Sequence, residues 1–162
     1  MNTRKAISWA KNARILSLTS RSKGKAFIAA VKPATPSKFK QGWREFGGKR
    51  CFYRSRWEAN YGRYLEWNKQ HGLIKEWFHE PQTFWFEGVK RGCVTYLPDF
   101  KVINLDDSHE WIEVKGFMDP KSKTKLRRFK KYYPKESIKV VGSKWYGANC
   151  HRLSSLIAGW EI

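Results

Sequence analysis

From Trp57 onward the apolar residues return at helical spacing, with Trp57, Tyr61, Tyr64 and Leu65 at i, i+4, i+7 and i+8. Ser55 followed three residues later by Glu58 has the form of a capping box, so the pattern predicts a helix that starts there and ends near Gly72. Gly62 weakens such a helix by about 1 kcal/mol relative to alanine, which packing of its aromatic face must offset. Short runs rich in β-branched and aromatic residues follow: Ile74 to His79, Thr83 to Phe86, Val94 to Val102 and Trp111 to Phe117. Gly88, Gly92 and the Asp106-Asp107-Ser108 cluster separate them as turns, and the series predicts an antiparallel meander. Asp119 then reads as an N-cap with Pro120 at the first helical position, and Leu126, Phe129 and Tyr133 form an apolar stripe at i, i+3, i+7 that Pro134 ends. Ile138 to Val141 reads as a short buried strand, and Cys150 to Ala158 as a last helix stopped by Gly159.

The order helix, strands, helix, strand implies an α/β fold in which a mixed central β-sheet is flanked by helices. At 162 residues, 41% of them hydrophobic and 16% aromatic, the chain has the material for one compact core. Residues 1–50 differ in character: they hold thirteen Lys or Arg and one acid, Glu45. That stretch reads as a basic N-terminal arm, partly helical through Ala6, Trp9, Ala10, Ala13 and Leu16 and interrupted by Gly24, Pro33 and Pro36. The compact domain is expected over residues 51–162, its pattern beginning near Phe52. An Arg-rich, acid-poor start also has the composition of an organelle transit peptide, but the basic character persists along the whole chain.

That character narrows the function. With 33 Lys and Arg against 14 Asp and Glu the formal charge is +19, which points to a polyanionic partner, and nucleic acid leads because neutralised phosphates release condensed counterions. A membrane span is not expected, since the longest apolar runs, such as Phe27 to Val31, are far too short, and the N-terminus lacks the apolar core of a secretory signal. Cys51, Cys93 and Cys150 are odd in number and widely spaced, which fits free thiols in a reducing, cytoplasmic compartment. Four scattered histidines show no zinc spacing and read as structural or solvent-facing.

The sharpest chemical signal is Pro98-Asp99-Phe100 followed by Trp111-Ile112-Glu113-Val114-Lys115-Gly116. Alternate residues of a strand share a face, so Glu113 and Lys115 point one way while Ile112 and Val114 enter the opposite, apolar layer. If the Asp99 strand pairs with this one through the turn at Asp106 to His109, its carboxylate lies beside Glu113. Two adjacent carboxylates repel unless a divalent cation lies between them. Mg²⁺, hard and octahedral, suits one or two carboxylates together with water and a phosphate oxygen. Lys115 beside it could orient or deprotonate an attacking water, or offset charge on the reacting phosphate. Glu58 is open to two readings from spacing alone: a third carboxylate brought to the site by its helix, or the partner of Ser55 in a capping box.

The pattern Glu58, Pro98-Asp99, Glu113-Val114-Lys115 resembles the PD-(D/E)xK nuclease superfamily, in which a sheet lies between helices and Mg²⁺ or Mn²⁺ is bound at the Asp and the second acid. Tyr53-Arg54-Ser55 before the glutamate helix, Tyr96-Leu97-Pro98-Asp99-Phe100, and Glu113-Val114-Lys115-Gly116 before a basic helix are similar to the phage endonuclease I group that resolves Holliday junctions, and to small phage nucleases. The similar stretch runs from Phe52 to Val141. The resemblance implies a restriction-endonuclease-like core, Glu58, Asp99 and Glu113 as metal ligands with help from the Val114 carbonyl, and Lys115 as the catalytic lysine. It also implies a metal-dependent endonuclease that cuts branched DNA as a homodimer. The arm of residues 1–50 is longer than such relatives carry before the glutamate helix, which bears on dimer architecture and junction preference.

The expected DNA contacts are Arg54 and Arg56 beside the first helix and Lys121, Lys123, Lys125, Arg127, Arg128, Lys130 and Lys131 around the stripe of the second. Trp43, Trp57, Trp67, Trp77, Trp85 and Trp145 could stack on unpaired bases, although most are expected in the core. Two rival functions share these features: a nuclease acting on transposon ends or restriction-like duplex sites, and a noncatalytic DNA-binding or packaging protein in which the acids only cap and pair.

Overall fold

The computed structural model describes residues 40–162. The expected helix between Ala6 and Leu16 and most of the basic arm therefore lie outside the described residues. A hairpin of β1 (Gly42–Phe46) and β2 (Lys49–Tyr53) leads into α1 (Arg56–Gln70). Then come β3 (Glu76–His79), β4 (Phe84–Trp85), β5 (Thr95–Tyr96), β6 (Phe100–Ile103), β7 (His109–Val114), α2 (Pro120–Tyr132), β8 (Ile138–Val141) and α3 (Ser143–Leu156). The main sheet has the order β3-β6-β7-β8; its first three strands are antiparallel and β8 runs parallel to β7 after the α2 crossover. The fold is thus mixed α/β with a mixed sheet.

Three expectations are corrected. The folded unit takes in the β1–β2 hairpin, so it begins before Gly42 rather than at residue 51. The strands do not form one meander: β4 and β5 pair only with each other, as a separate ribbon. Pro98 separates β5 from β6, since a residue without an N–H cannot carry the ladder through. The last helix starts at Ser143, not Cys150, because Gly142 at its N-cap makes no side-chain cap bond that the sequence could advertise.

Both sheet faces are covered. Trp77, Phe100, Val102, Ile112, Val114 and Val141 pack with Tyr53, Ala59, Tyr61 and Leu65, joining the sheet to β2 and α1. Trp111 on the opposite face packs with Phe84, Phe86, Tyr96 and Phe129, joining it to the β4–β5 ribbon and α2. The capping predictions hold: the Glu58 N–H donates to Ser55 Oγ (3.1 Å), and the Ser122 N–H donates to Asp119 Oδ1 (3.0 Å). Gly62 has a reason beyond tolerance. A Cβ there would come within 2.9 Å of the Phe46 ring and 3.2 Å of the Tyr53 hydroxyl, so the glycine lets the hairpin close onto α1.

The C-terminal residues are tied down by one buried polar side chain. Asn60 Nδ2 donates to the Tyr146 hydroxyl and to the Glu161 carbonyl, both at 2.7 Å, while its Oδ1 accepts from the Glu161 N–H (2.9 Å) and Arg63 (3.1 Å). Asn60→Ala removes all four bonds and leaves buried groups without partners, so urea unfolding should show a loss of about 2 to 4 kcal/mol. A loss under about 0.5 kcal/mol would mean that Asn60 does not fasten the C-terminal residues to α1.

Candidate active site

The β6–β7 pairing sets the site. Phe100 lies opposite Ile112, and continuing that register by one residue brings Asp99 opposite Glu113. Asp99 is 7% exposed and its Oδ2 accepts the Val114 N–H at 2.7 Å. Glu113, also 7% exposed, shares its sheet face with Trp111 and accepts the Tyr96 hydroxyl on Oε2 at 2.7 Å. Lys115 Nζ lies 3.7 Å from Glu113 Oε1, an ion pair with the amine side of Lys115 partly open to solvent.

Glu58 comes to the same end of the sheet from the first turn of α1 and is 3% exposed. Its Oε2 accepts the Arg54 N–H at 2.9 Å and its Oε1 accepts from His79 Nε2 at 2.8 Å. Its backbone N–H bonds the Ser55 cap, but its carboxylate accepts from the residue before the cap and from a histidine on β3, so the reciprocal half of a capping box is not formed. His79 is half-buried, its side chain 8% exposed, with its ring 4.5 Å from that of Tyr53 and 5.4 Å from that of Phe100. The sequence reading treated it as structural or solvent-facing. The available signal was strand alternation, which puts His79 on the inward face with Trp77.

A cleft of about 560 Å³ opens over these groups, lined by Arg54, Arg56, Glu58, Asp99, Val114 and Lys115 among others. Glu113 lies behind this lining, toward Tyr96. Arg54 reaches from the cleft to an ion pair with Glu80. The α2 cations divide. Lys121, Lys123, Arg127, Lys130 and Lys131 are exposed, and the Lys125 charge acts on Glu113. Arg128 is half-buried and donates to the carbonyls of Arg91 and Cys93, so its guanidinium serves the β4–β5 connection. Trp77 is fully buried and Trp57 stacks on Tyr146 with centroids 4.1 Å apart, whereas Trp43 and Trp85 are exposed.

Burial pushes the Asp99 carboxyl well above its ordinary value of 3.8, and the charges of Glu113 and Glu58 push it further, against the Val114 N–H and Arg54. Burial raises Glu113 above its ordinary 4.5 in spite of the Tyr96 hydroxyl, Lys115, Lys125 and Arg54. Neighbouring acids that resist ionisation are relieved by a cation, and the oxygen-only set of Asp99 and Glu113 beside Val114 fits a hard ion such as Mg²⁺. Among the described residues, three possible ligand residues whose donor atoms all lie within 4.8 Å of one another are Glu58, His79 and Glu80, a different grouping. Within that grouping Glu80 is paired with Arg54, and Glu58 accepts from His79. Asp99 and Glu113 are the two acids whose carboxyls burial raises, and the charge of Glu58 adds to the rise at Asp99.

A family model described as "Protein of unknown function (DUF1064)" matches residues 44–147. The chain belongs to this family. The DUF1064 span takes in Glu58, Asp99, Glu113 and Lys115 together and runs from β1 into α3, so the hairpin is part of the family's unit. No curated protein and no solved structure matches the chain.

A carboxyl raised on folding makes the fold less stable as pH climbs. Below about 3.8 folded and unfolded states both hold the proton; above it the unfolded chain ionises freely, while the fold must keep the proton or bear the charge. The penalty grows by about 1.4 kcal/mol per pH unit until the raised value is passed. Asp99→Asn keeps an acceptor for the Val114 N–H and removes the charge. In chelator its melting temperature should exceed that of the wild type, by a margin that widens as the pH rises above about 4. A variant less stable than wild type at pH 8 would show that Asp99 is not under electrostatic strain.

Proposed function

We propose that the protein is a Mg²⁺-dependent DNA endonuclease of the PD-(D/E)xK type. The observation that carries this reading is the pair of buried carboxyls, Asp99 and Glu113, raised by burial and set by adjacent strands at one end of the sheet, with Lys115 beside them. A main sheet packed against α1 on one face and α2 on the other supports a restriction-endonuclease-like core. The cleft entrance supports DNA as the substrate: Arg54, Arg56 and Lys115 line it in a chain of formal charge +19. Among the described residues no helix is long and apolar enough to cross a membrane.

On this reading Asp99, Glu113 and Glu58 with the Val114 carbonyl hold Mg²⁺, for which Mn²⁺ substitutes. When bound, the ion polarises the scissile phosphate and lowers the pKa of water at the site. Arg54 and Arg56 hold the DNA backbone against the cleft, as charge-assisted donors to phosphate oxygens. Lys115 orients the attacking water and offsets charge growing on the phosphate, while Glu113 keeps its amine at the site. His79 and the Arg54 N–H fix the Glu58 carboxylate in the cleft lining that it shares with Asp99. In-line attack by water leaves a 5′-phosphate and a 3′-hydroxyl. Branched DNA is the preferred substrate, and paired cuts across a junction need two such sites, so the working form is a homodimer in the cytoplasm.

The test is a panel of junction, flap, nicked, linear and single-stranded DNA, with Mg²⁺ or chelator. Wild type should cut only with the metal, and branched DNA fastest. Lys115→Ala should retain DNA binding while cleavage falls about 10²- to 10³-fold. No metal-dependent cleavage of any substrate by the wild type sinks the reading.

A second measurement follows the metal without following cleavage. Mg²⁺ or Mn²⁺ at 100 times its dissociation constant should add about 2.7 kcal/mol of stability to the wild type. Asp99→Asn should lose most of that gain; an equal gain in both proteins would place the ion elsewhere.

A further inference from the structure

The outer face of the β1–β2 hairpin carries an aromatic pair that the fold leaves in water. Trp43 is 62% exposed and Phe52 is 41% exposed. They are cross-strand partners, their rings edge to face with centroids 5.7 Å apart. The Arg50 guanidinium lies 5.4 Å from the centre of the Trp43 ring, although Arg50 stands opposite the acidic Glu45 in the strand register. The inner face of the same hairpin is engaged: Phe46 stacks on Tyr53 and Trp77, and Tyr53 is fully buried. The hairpin is therefore a fixed support whose outward rings contribute little to the core.

Its position along the chain gives the face a direction. β2 ends at Tyr53, and the next residues, Arg54, Ser55 and Arg56, form part of the cleft lining. Phe52 thus stands two residues, about 7 Å of extended chain, before the first cleft arginine. Across the cleft lining, Phe117 follows Lys115 and Gly116 and is 79% exposed.

We propose that Trp43, Phe52 and Arg50 form a stacking platform for unpaired nucleobases of a DNA strand whose backbone enters the cleft. This rests on the nuclease reading and deepens it, because it names the substrate feature selected: unpaired nucleotides beside the cut. Aromatic faces stack on any base, and a guanidinium adds attraction to the base and to its phosphate. Intact duplex already stacks its bases on one another and offers no free face, so the platform favours forks, flaps and opened junctions over linear duplex. Arg54, Arg56 and Lys115 beyond it favour a polyanionic strand over a neutral apolar partner.

The full chain is mixed in chelator with a forked DNA carrying 2-aminopurine at the unpaired positions nearest the branch, and with a linear duplex carrying it in a pair. Fluorescence reads stacking, and anisotropy reads affinity. With wild type the fork signal should be quenched and the duplex signal unchanged. Trp43→Ala and Phe52→Ala should each weaken fork binding by about 5- to 150-fold and abolish the quenching, with duplex affinity unchanged. Trp43→Phe should restore most of both, and Arg50→Gln should weaken fork binding without touching the core. Equal losses on fork and duplex, or no loss on either, overturn the proposal. So does a dimer that Trp43→Ala dissociates in sedimentation with fork binding intact, since the face would then receive a second copy. Because these readouts need no cleavage, failure of the nuclease reading shows separately, as wild type that cuts nothing with Mg²⁺.

Discussion

The pairing of β6 with β7 is the constraint from which the rest of the molecule follows. In one register it buries Phe100 and Ile112 in the layer under α1 and carries Asp99 into line with Glu113. Side chains alternate strictly along a strand, so a slip by one residue would turn the apolar set of one strand out of its layer and separate the two acids. The core therefore enforces the placement of the two acids. A change that left Asp99 and Glu113 intact but loosened Phe100 or Ile112 would damage the site through the register.

Local signals made the helices that flank the site legible. Ser55 and Asp119 cap as their positions foretell, and Pro120 sits where a missing N–H costs nothing. The alternation of Ile112, Glu113 and Val114 correctly assigned the apolar face, and the antiparallel pairing expected for the Asp99 strand is present. The β1–β2 hairpin was hidden by charge. Gly47-Gly48 between two aromatic runs is a two-residue hairpin signal, but Arg44, Lys49 and Arg50 made the stretch read as part of a basic arm. The β4–β5 ribbon was missed for a different reason: short apolar runs do not say which strand they pair with, and Pro98 divides one such run in two.

Contacts between distant residues were the least legible. Glu58 and His79 are 21 residues apart and meet because α1 packs against β3. Arg128 lies in a run of cations that reads as one phosphate-facing surface, yet it is drawn inward to two carbonyls of the β4–β5 connection. In each case the residue type was visible and its partner was not, because the partner is chosen by tertiary packing.

The charge distribution sets a problem that bears on mechanism. The exposed cations of α2 and the cleft arginines attract a polyanion, but a phosphate that reaches the end of the sheet meets Asp99 and Glu113. More lysines on the surface cannot cancel that repulsion, since exposed charges beyond about 8 Å are largely screened at physiological salt. Arg54, Lys115 and Lys125 act locally, and even so both carboxyls remain raised. Nor is burying two acids side by side a route to stability, because apolar residues of similar size would fill the same space at lower cost. A phosphate can approach this end of the sheet once the acids are protonated, which activates no water, or once a divalent cation stands between acid and phosphate. On the proposed nuclease reading the second route is the one that would turn a destabilising pair of acids into a site for phosphodiester chemistry, with the cation a condition of a phosphate's approach to these two acids rather than of DNA binding elsewhere on the chain.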